Sequence, residues 1–258
     1  MKVTVCEFNK TWSLEKTWDA LIKHTKKEKT EFLLLPEMPF FNWVCNKKKF
    51  DRNKWNDTVA AHDAWIGRMH ELNVPIVAGS RPVTDNEKFY NEGYVWTADR
   101  GYKAVHRKVY LPNAEGFWEA NWYQPESKEF NVFEYNNLKI GFLICTELWF
   151  LQHAREYSKK GVHLLVCPRS TSLGPETPKW LSCGTTASVV SGAYCLSSNF
   201  SGVEDRLNFA GMSWIIEPKY GAALKITKKQ SPFVSAKIDL KISEDAKLTY
   251  PRNVVDEF

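Results

Sequence analysis

A short apolar run that leads straight into a cysteine constrains this chain more than any other stretch of its sequence. Within Leu138–Phe150 (LKIGFLICTELWF), residues 140–144 are almost entirely apolar, and polarity switches abruptly after Cys145. A run of this length is typical of a buried strand, and the residues that follow have the apolar spacing of a helix. At such a bend, unpaired backbone N–H groups can receive an anion, so the position suits a nucleophile. A cysteine that merely fills the core is the alternative that this segment leaves open.

Similar strand and helix patterns occur in both halves of the chain. The first half predicts strands at 3–8, 32–35 and 74–78, with helices around 14–22 and over 57–72. Hairpins are predicted over 93–106 and 130–145, and a helix over 179–191. Further strands are predicted at 163–167, 193–198, 212–217, 223–227 and 233–240. This order indicates an α/β fold in which helices cover the outer faces of mixed sheets. The sequence has no linker rich in Gly, Ser or Pro, so we predict one domain over 1–258 with an extended arm at about 241–258.

Composition argues against several classes of function. The formal net charge is +5, and the lysine-rich stretches lack the unbroken charge blocks of a nucleic-acid-binding arm. Six cysteines are too sparse for a disulfide framework, and neither a CxxC pair nor an HExxH motif is present, so we predict no metal and no cofactor. The N-terminus lacks the apolar core of a signal peptide, and no run is long enough to span a membrane. We therefore predict a reduced cytoplasmic protein without a membrane or nucleic-acid partner.

Charged residues follow two other apolar strands at positions equivalent to that of Cys145. Glu37 comes just after the strand at 32–35, and Lys108 follows the hairpin strand that ends in AVHR. Ligands gather at the carboxyl ends of strands in α/β sheets, so a carboxylate, an ammonium and a thiol would converge if these strands were neighbours. Taken singly, Glu37 could cap a turn and Lys108 could lie on the surface. Their conjunction with Cys145 favours a catalytic site.

Three motifs in this order resemble those of the nitrilase superfamily, the carbon–nitrogen hydrolases. LLLPEMPF contains Glu37, HRKVYLPN contains Lys108 and GFLICTELWF contains Cys145. The resemblance covers nearly the whole chain and implies a four-layer αββα sandwich that forms a homodimer or a larger homo-oligomer. It also implies that Glu37 is the general base, Lys108 the catalytic lysine and Cys145 the nucleophile.

Two further stretches bear on the branch of this family. EGFWEANWYQP resembles the amidase and carbamoylase branch, and the resemblance implies a second glutamate, Glu119, that positions the substrate nitrogen and Lys108. Thr146 and Glu147, in contrast, stand where members of the family commonly have an aromatic or small residue followed by aspartate. The resemblance therefore implies the catalytic residues and leaves the substrate class open.

The charges expected around Cys145 indicate how the thiol would be activated. An ammonium about 4 Å away stabilises a thiolate by roughly 4 kcal/mol at most, and an equally close carboxylate opposes it by a similar amount. A standing thiolate is therefore not expected, and Glu37 is predicted to take the proton as the sulfur attacks an amide. Lys108 and the backbone N–H of Thr146 would hold the oxyanion. Departure of ammonia would leave the acyl group on Cys145 as a thioester. Water would then hydrolyse the thioester.

The substrate prediction depends on side chains near these motifs. Trp118 and Trp149 indicate an apolar-walled pocket, although such aromatic residues could equally pack loops or a dimer interface. Arg169, which follows a predicted strand, would suit a substrate carboxylate. We predict hydrolysis of a small amide or N-carbamoyl compound, including one with an acidic group.

Three alternatives stay open. An amine could take the thioester in place of water, which would make the protein an acyltransferase, and nitrile hydrolysis could use the same three residues. A non-catalytic protein that binds a polyanion through its aromatic and basic loops is an alternative of a different class. Glu37, Lys108 and Cys145 together argue against it, because a binding module does not need all three.

Overall fold

The computed structural model describes residues 1–126 and 129–255, in which strands and helices alternate. The strands are β1 (Lys2–Asn9), β2 (Phe32–Leu34), β3 (Ile76–Asp85), β4 (Lys88–Thr97), β5 (Gly101–Arg107), β6 (Val132–Tyr135), β7 (Leu138–Phe142), β8 (Leu164–Pro168), β9 (Tyr194–Glu204), β10 (Leu207–Ala210), β11 (Trp214–Ile216), β12 (Ala223–Ile226) and β13 (Phe233–Lys237). The helices are α1 (Leu14–Glu28), α2 (Arg52–Ile66), α3 (Glu119–Trp122), α4 (Leu151–Lys159), α5 (Thr177–Ser191) and α6 (Leu240–Lys247). Short 3₁₀ helices occupy Val44–Asn46, Met69–Leu72 and Cys145–Trp149.

The strands form two sheets that are joined through β1 and β9. The first sheet has the order β5–β4–β3–β2–β1, with β13 on the other side of β1, and the second contains β6–β7–β8–β9 extended by β11 and β12. The last residues of β1, Glu7–Asn9, pair in parallel with β9 and so connect the two sheets. Strands β1, β2 and β3 are parallel to one another, as are β7, β8 and β9. The carboxyl ends of these strands therefore lie together along one edge of each sheet.

Alternating side chains of the parallel strands build the layers. Leu34 faces a core that the two sheets share, whereas Leu33 packs on the other side of its sheet with side chains of α1 and α2. Likewise, Val166 enters the shared core, whereas Leu165 packs with side chains of α4 and α5. A strand that is covered on both faces needs apolar residues at successive positions, which explains the short continuous apolar runs. The layers are helix, sheet, sheet and helix, which confirms the predicted αββα sandwich.

The C-terminal segment differs from the extended arm predicted over 241–258. Helix α6 occupies its first part and begins where the side chain of Asp239 accepts a hydrogen bond of 3.0 Å from the backbone N–H of Lys241. Ser243 and Ala246 on this helix are buried. The prediction overlooked the Asp239 cap, which supplies an acceptor for an N–H group of the first turn. Residues 256–258 of the predicted arm lie outside the described residues.

Several predicted boundaries also shift. β3 continues to Asp85 instead of ending near residue 78, because β4 pairs with it antiparallel along its whole length. The helix predicted over 57–72 is α2, which begins after the Asp51 cap, followed by a separate 3₁₀ helix. Strand β10 was not predicted, and it pairs with the distal part of β9.

Candidate active site

Cys145 lies on a sharp turn at the carboxyl end of β7. The chain leaves β7 at Phe142, and the 3₁₀ helix begins at the cysteine itself. Cys145 has a φ of 49°, in the left-handed region, which costs an L-residue roughly 1–2 kcal/mol. Strain of this kind persists only where the surroundings enforce it, and it is concentrated at active sites. The predicted strand-to-helix bend is therefore present, and its strained residue is the proposed nucleophile.

Lys108 binds two carboxylates in the interior of the protein. Its Nζ lies 2.7 Å from Oε1 of Glu37 and 2.6 Å from Oε2 of Glu119. All three side chains are almost completely buried. Glu37 follows β2, Lys108 follows β5 and Glu119 begins α3, so residues far apart in the sequence meet at one point. Buried charges of this kind are stable only when each has a partner, and the ammonium serves both carboxylates.

Each carboxylate has one oxygen that binds Lys108 and one that does not. Oε1 of Glu37 also accepts a hydrogen bond of 2.8 Å from the amide of Asn91, and Oε2 of Glu119 also accepts one from the hydroxyl of Tyr123. Oε2 of Glu37 and Oε1 of Glu119 are buried and have no hydrogen-bond partner in the part of the chain that the structure describes. A buried acceptor without a donor is costly, so these two atoms call for a ligand with N–H or O–H groups.

The three titratable groups differ in their protonation at neutral pH. Burial raises the pKa of Glu37 to about 7, although the Lys108 charge opposes this shift. Burial alone would lower the pKa of Lys108, but the charges of Glu119 and Glu37 outweigh it and hold the pKa well above its usual value. Burial and the Glu37 charge raise the pKa of the Cys145 thiol. The resting site therefore has a protonated thiol, a charged lysine and a carboxylate poised to take up a proton.

These protonation states predict how activity depends on pH. A general base acts only when it is deprotonated, and Glu37 loses its proton as pH rises through about 7. We therefore expect kcat/KM to increase about tenfold per pH unit on the acidic side and to level off above about pH 7. Because the charges of Lys108 and Glu119 act on Glu37, the apparent pKa on the acidic side of the profile describes Glu37 together with these neighbours. Activity that stays constant from pH 5 to pH 8 would contradict this prediction.

Glu147 holds the nucleophile turn and the end of β5 together. Its carboxylate accepts hydrogen bonds of 2.8 Å from the backbone N–H of Ile144 and of 2.7 Å from that of Val109. The ring Nε2 of His106 also lies 2.8 Å from it. Glu147 and His106 are both fully enclosed. The residue that departs from the family pattern therefore fixes the backbone on both sides of the site, one residue before Cys145 and one after Lys108.

Substitution of Glu147 should lower both stability and turnover. Glu147→Gln keeps the side-chain volume but turns one acceptor oxygen into a donor that faces N–H groups. Hydrogen bonds to a charged group are each worth about 1.5–3 kcal/mol, so we expect a decrease of about 2 kcal/mol in the free energy of unfolding. Urea titration with activity measured in parallel checks this. Glu156→Gln, at a half-exposed position on α4, is the control and should leave both quantities unchanged; equal behaviour of the two variants would contradict the role assigned to Glu147.

A cavity of about 240 Å³ opens onto Cys145. It is lined by Pro112, Ala114, Phe117, Glu119, Cys145, Thr146, Ser170, Thr171, Ser172, Glu176 and Trp180. The N–H of Thr146 belongs to the first turn of the 3₁₀ helix, where backbone donors have no acceptor within the helix. A larger depression of about 880 Å³ lies beyond Gly116, but no residue that lines it belongs to the group around Lys108. The smaller cavity is the candidate active site.

Three predicted substrate-binding residues lie elsewhere. Arg169 is completely buried, and its guanidinium donates hydrogen bonds to Ser197, Thr171 and the carbonyl of Met212 while it stacks over Trp214 at 3.9 Å. It does not line the cavity, so its position does not support the predicted binding of a carboxylate. Trp118 contributes its backbone N–H to Cys45 and lies outside the cavity lining, which uses its neighbour Phe117. Trp149 is 43% exposed, packs against Trp180 in a T-shaped ring contact and is not among the residues named in the cavity lining.

Sequence reasoning did not predict the hydrogen bonds of Asn91 and Tyr123 or the place of Ser170 in the site. Asn91 and Tyr123 hold the two carboxylates, and Ser170 lines the cavity from the end of β8. A signal was available for two of them. Asn91 is an amide in the interior of an otherwise largely apolar strand, and Tyr123 stands four residues after Glu119 at helical spacing. Ser170 has no comparable pattern.

Comparison with known proteins shows which family this sequence matches. The sequence matches the family model of the carbon–nitrogen hydrolases over residues 2–247. It is similar to an omega-amidase NIT2 of Xenopus tropicalis, with 27% identity over 227 residues that cover 86% of this chain and 81% of the relative. It is also similar to a citrullinase of Francisella tularensis, with 27% identity over 63% of this chain; that match spans only 57% of the relative's own length.

Solved structures have the same fold. A carbon–nitrogen hydrolase from Helicobacter pylori G27 superposes with a TM-score of 0.86 at 20% identity, covering 98% of this chain and 94% of that one. An amidase from Nesterenkonia sp. superposes with a TM-score of 0.78 at 18% identity, covering 95% and 92%. The family match extends over almost the whole sequence and includes the buried Glu37, Lys108 and Cys145. The chain therefore belongs to the carbon–nitrogen hydrolases, a family of enzymes in the nitrilase superfamily.

Proposed function

We propose that this enzyme hydrolyses a small amide or N-carbamoyl compound through a thioester on Cys145 and releases ammonia. The observation that carries the proposal is a pair of buried carboxylate oxygens, one on Glu37 and one on Glu119, that have no hydrogen-bond partner among the described residues. Both carboxylates bind Lys108, and Glu119 lines the same cavity as the strained Cys145. The NH₂ group of a primary amide presents two N–H donors, one for each of these acceptors. A nitrile has no N–H donor and would leave both acceptors unpaired, which favours the amide over the nitrile alternative.

The acylation step uses the groups in the protonation states described above. Glu37 removes the proton from the thiol as the sulfur of Cys145 attacks the carbonyl carbon, and a C–S bond forms while the carbonyl π electrons move to oxygen. Lys108 uses one N–H for each carboxylate and keeps a third for the oxyanion, which the N–H of Thr146 also reaches. Glu37 then passes its proton to the nitrogen, the C–N bond breaks and ammonia leaves.

The deacylation step repeats this chemistry with water. Glu37 is again ionised after ammonia has left, and it removes a proton from a water molecule that attacks the thioester carbonyl. The second tetrahedral intermediate uses the same two donors, and its collapse returns the proton to the sulfur and releases the acid. Glu119 keeps Lys108 in place through both steps, because Lys108 would otherwise be a buried cation with a single partner.

A screen of ammonia release tests the proposed function. The purified protein is incubated with matched panels of primary amides, N-carbamoyl compounds and nitriles, and intact-mass spectrometry records any acyl adduct. Ammonia release together with an adduct on Cys145 supports the proposal. Acyl transfer is identified by turnover that requires an added amine, and nitrile hydrolysis by turnover of the nitrile panel alone. Absence of both turnover and adduct across all panels would overturn the enzyme mechanism proposed here.

We also propose that the protein forms a homodimer or a larger homo-oligomer. Large apolar side chains of the C-terminal segment are strongly exposed in the single chain, including Leu248 (77%) and Tyr250 (78%). Apolar surface of this kind commonly marks a protein–protein contact. Sedimentation analysis measures the assembly directly. Within residues 1–126 and 129–255, no helix combines the length and apolarity needed to cross a bilayer, and the cytoplasmic location stays a prediction.

A further inference from the structure

Ser170 lines the candidate active site and has a buried hydroxyl. The residue follows β8, is 1% exposed and lines the cavity together with Cys145. Its Oγ is buried and has no hydrogen-bond partner among the described residues. The hydroxyls of Thr171 and Ser197 next to it are engaged by the Arg169 guanidinium, so Ser170 differs from its polar neighbours. A buried hydroxyl without a partner is costly, which indicates that a ligand satisfies it.

A primary amide alone leaves this hydroxyl unsatisfied. In the proposed function, the NH₂ group of the substrate fills the two free carboxylate oxygens, and the carbonyl oxygen receives Lys108 and the N–H of Thr146. These four contacts use the hydrogen-bonding capacity of a carboxamide in full. Ser170 therefore contacts a different part of the substrate, on the acyl side of the carbonyl carbon.

The position of Ser170 in the fold agrees with this division. Glu37 and Lys108 follow strands of the first sheet, whereas Ser170 follows β8, which pairs with β7 in the second sheet. If the first sheet holds the leaving nitrogen, the other substituent of the carbonyl carbon can extend towards the second sheet. Ser170 and Cys145 are both supplied by strand ends of that sheet.

The charges around the cavity indicate which kind of substrate group would lie next to Ser170. The group around Lys108 has two carboxylates and one ammonium, and the only other ionisable carboxylate in the cavity lining described is Glu176. The lining of that cavity has no lysine or arginine among the described residues. An environment with an excess of acceptors favours an additional donor on the substrate over an additional acceptor.

We propose that Ser170 is a specificity-determining residue whose Oγ accepts a third substrate N–H, the one attached to the acyl side of a urea-type R–NH–CO–NH₂ group. This inference rests on the proposed function and names its substrate class: N-carbamoyl compounds over simple aliphatic amides. The Ser170 hydroxyl distinguishes them because an amide has an apolar CH₂ at the position where the N-carbamoyl compound has N–H. A CH₂ there leaves Oγ buried and unpaired.

The test uses two probes of nearly equal shape, N-methylurea and propionamide, which differ by NH in place of CH₂. The ratio of their kcat/KM values is measured for the wild-type enzyme and for Ser170→Ala. We expect the ratio of N-methylurea to propionamide to fall about tenfold in the variant, the upper part of the range for one neutral hydrogen bond. Comparing ratios between variants removes the difference in intrinsic reactivity between the two probes. Ser182→Ala, an exposed position on α5, makes the same chemical change away from the cavity and should leave the ratio unchanged.

A binding measurement separates this inference from the proposed function. In Cys145→Ala and Cys145→Ala/Ser170→Ala proteins, calorimetric or NMR titration gives the dissociation constants of both probes without turnover. A roughly tenfold loss of preference for N-methylurea in the double variant supports the role of Ser170, even for a chain that turns over neither probe. A ratio that changes less than twofold on removal of Oγ, in turnover or in binding, overturns it. Failure of the proposed function is recognised independently, by the absence of ammonia release and of a Cys145 adduct.

Discussion

Replacement of Cys145 by alanine is expected to abolish amide turnover. The thiol is the nucleophile of the proposed mechanism, and loss of a nucleophile in a comparable hydrolase costs about 10⁶ in kcat. Cys145→Ser should be nearly as inactive, because burial that already raises the pKa of the thiol acts on a far weaker acid. Steady-state ammonia release and intact-mass spectrometry measure the loss of turnover and of the adduct.

A second cysteine provides the matched control for this experiment. Cys183 is buried on α5, where its thiol contacts the carbonyl of Leu148 at 3.2 Å. Cys183→Ala removes the same atoms outside the cavity lining, and we expect it to retain activity. Thermal unfolding of both variants shows whether either has lost its fold. Full activity of folded Cys145→Ala would remove the thioester from the mechanism.

Replacement of Glu37 by glutamine is expected to produce the second largest loss. Glutamine keeps the shape of the side chain and an oxygen that can accept from Lys108 and Asn91, but it cannot take up a proton. General-base catalysis typically contributes about 10²–10⁴ in rate, and we expect kcat to fall within that range. The acidic limb of the pH profile near pH 7 should disappear at the same time, because the titrating group has been removed.

The pH profile separates a catalytic role of Glu37 from a merely structural one. A variant that is only partly misfolded would have a lower kcat/KM at every pH but the same pH dependence. Glu134→Gln, on an exposed strand position, is a matched control and should change neither property. An unchanged acidic limb in Glu37→Gln would assign the titration to another group and contradict the role of Glu37 as base.

The fold and the positions of the candidate catalytic residues could be predicted because their signals are local. Glu37, Lys108 and Cys145 each lie within three residues of the carboxyl end of a strand, so a strand assignment also assigns the residue to a sheet edge. The apolar runs were informative because both faces of the parallel strands are covered, by helices on one side and by the second sheet on the other. The αββα layers follow from that pattern together with the family resemblance.

The remainder of the site depends on side-chain direction, which the sequence pattern does not contain. Arg169 follows a core strand as Glu37 does, yet its guanidinium turns into the protein and binds Ser197 and Met212. Glu147 stood out only as a departure from the family pattern, because its partners Val109 and Ile144 are backbone groups that any sequence supplies. Contacts of this kind become visible only when both strand ends are placed in space.

The shared core between the two sheets has a consequence for the evolution of this enzyme. Glu37 and Lys108 follow strands of one sheet, and Cys145 follows a strand of the other. Residues such as Leu34 and Ile140 fill the core between the two sheets. A displacement of about 1 Å between reacting groups can cost about 10² in rate. The volume of these interior side chains thus helps to set the distance between the proposed base, Glu37, and the proposed nucleophile, Cys145. Natural selection on turnover therefore also acts on buried aliphatic residues that are absent from the described cavity lining.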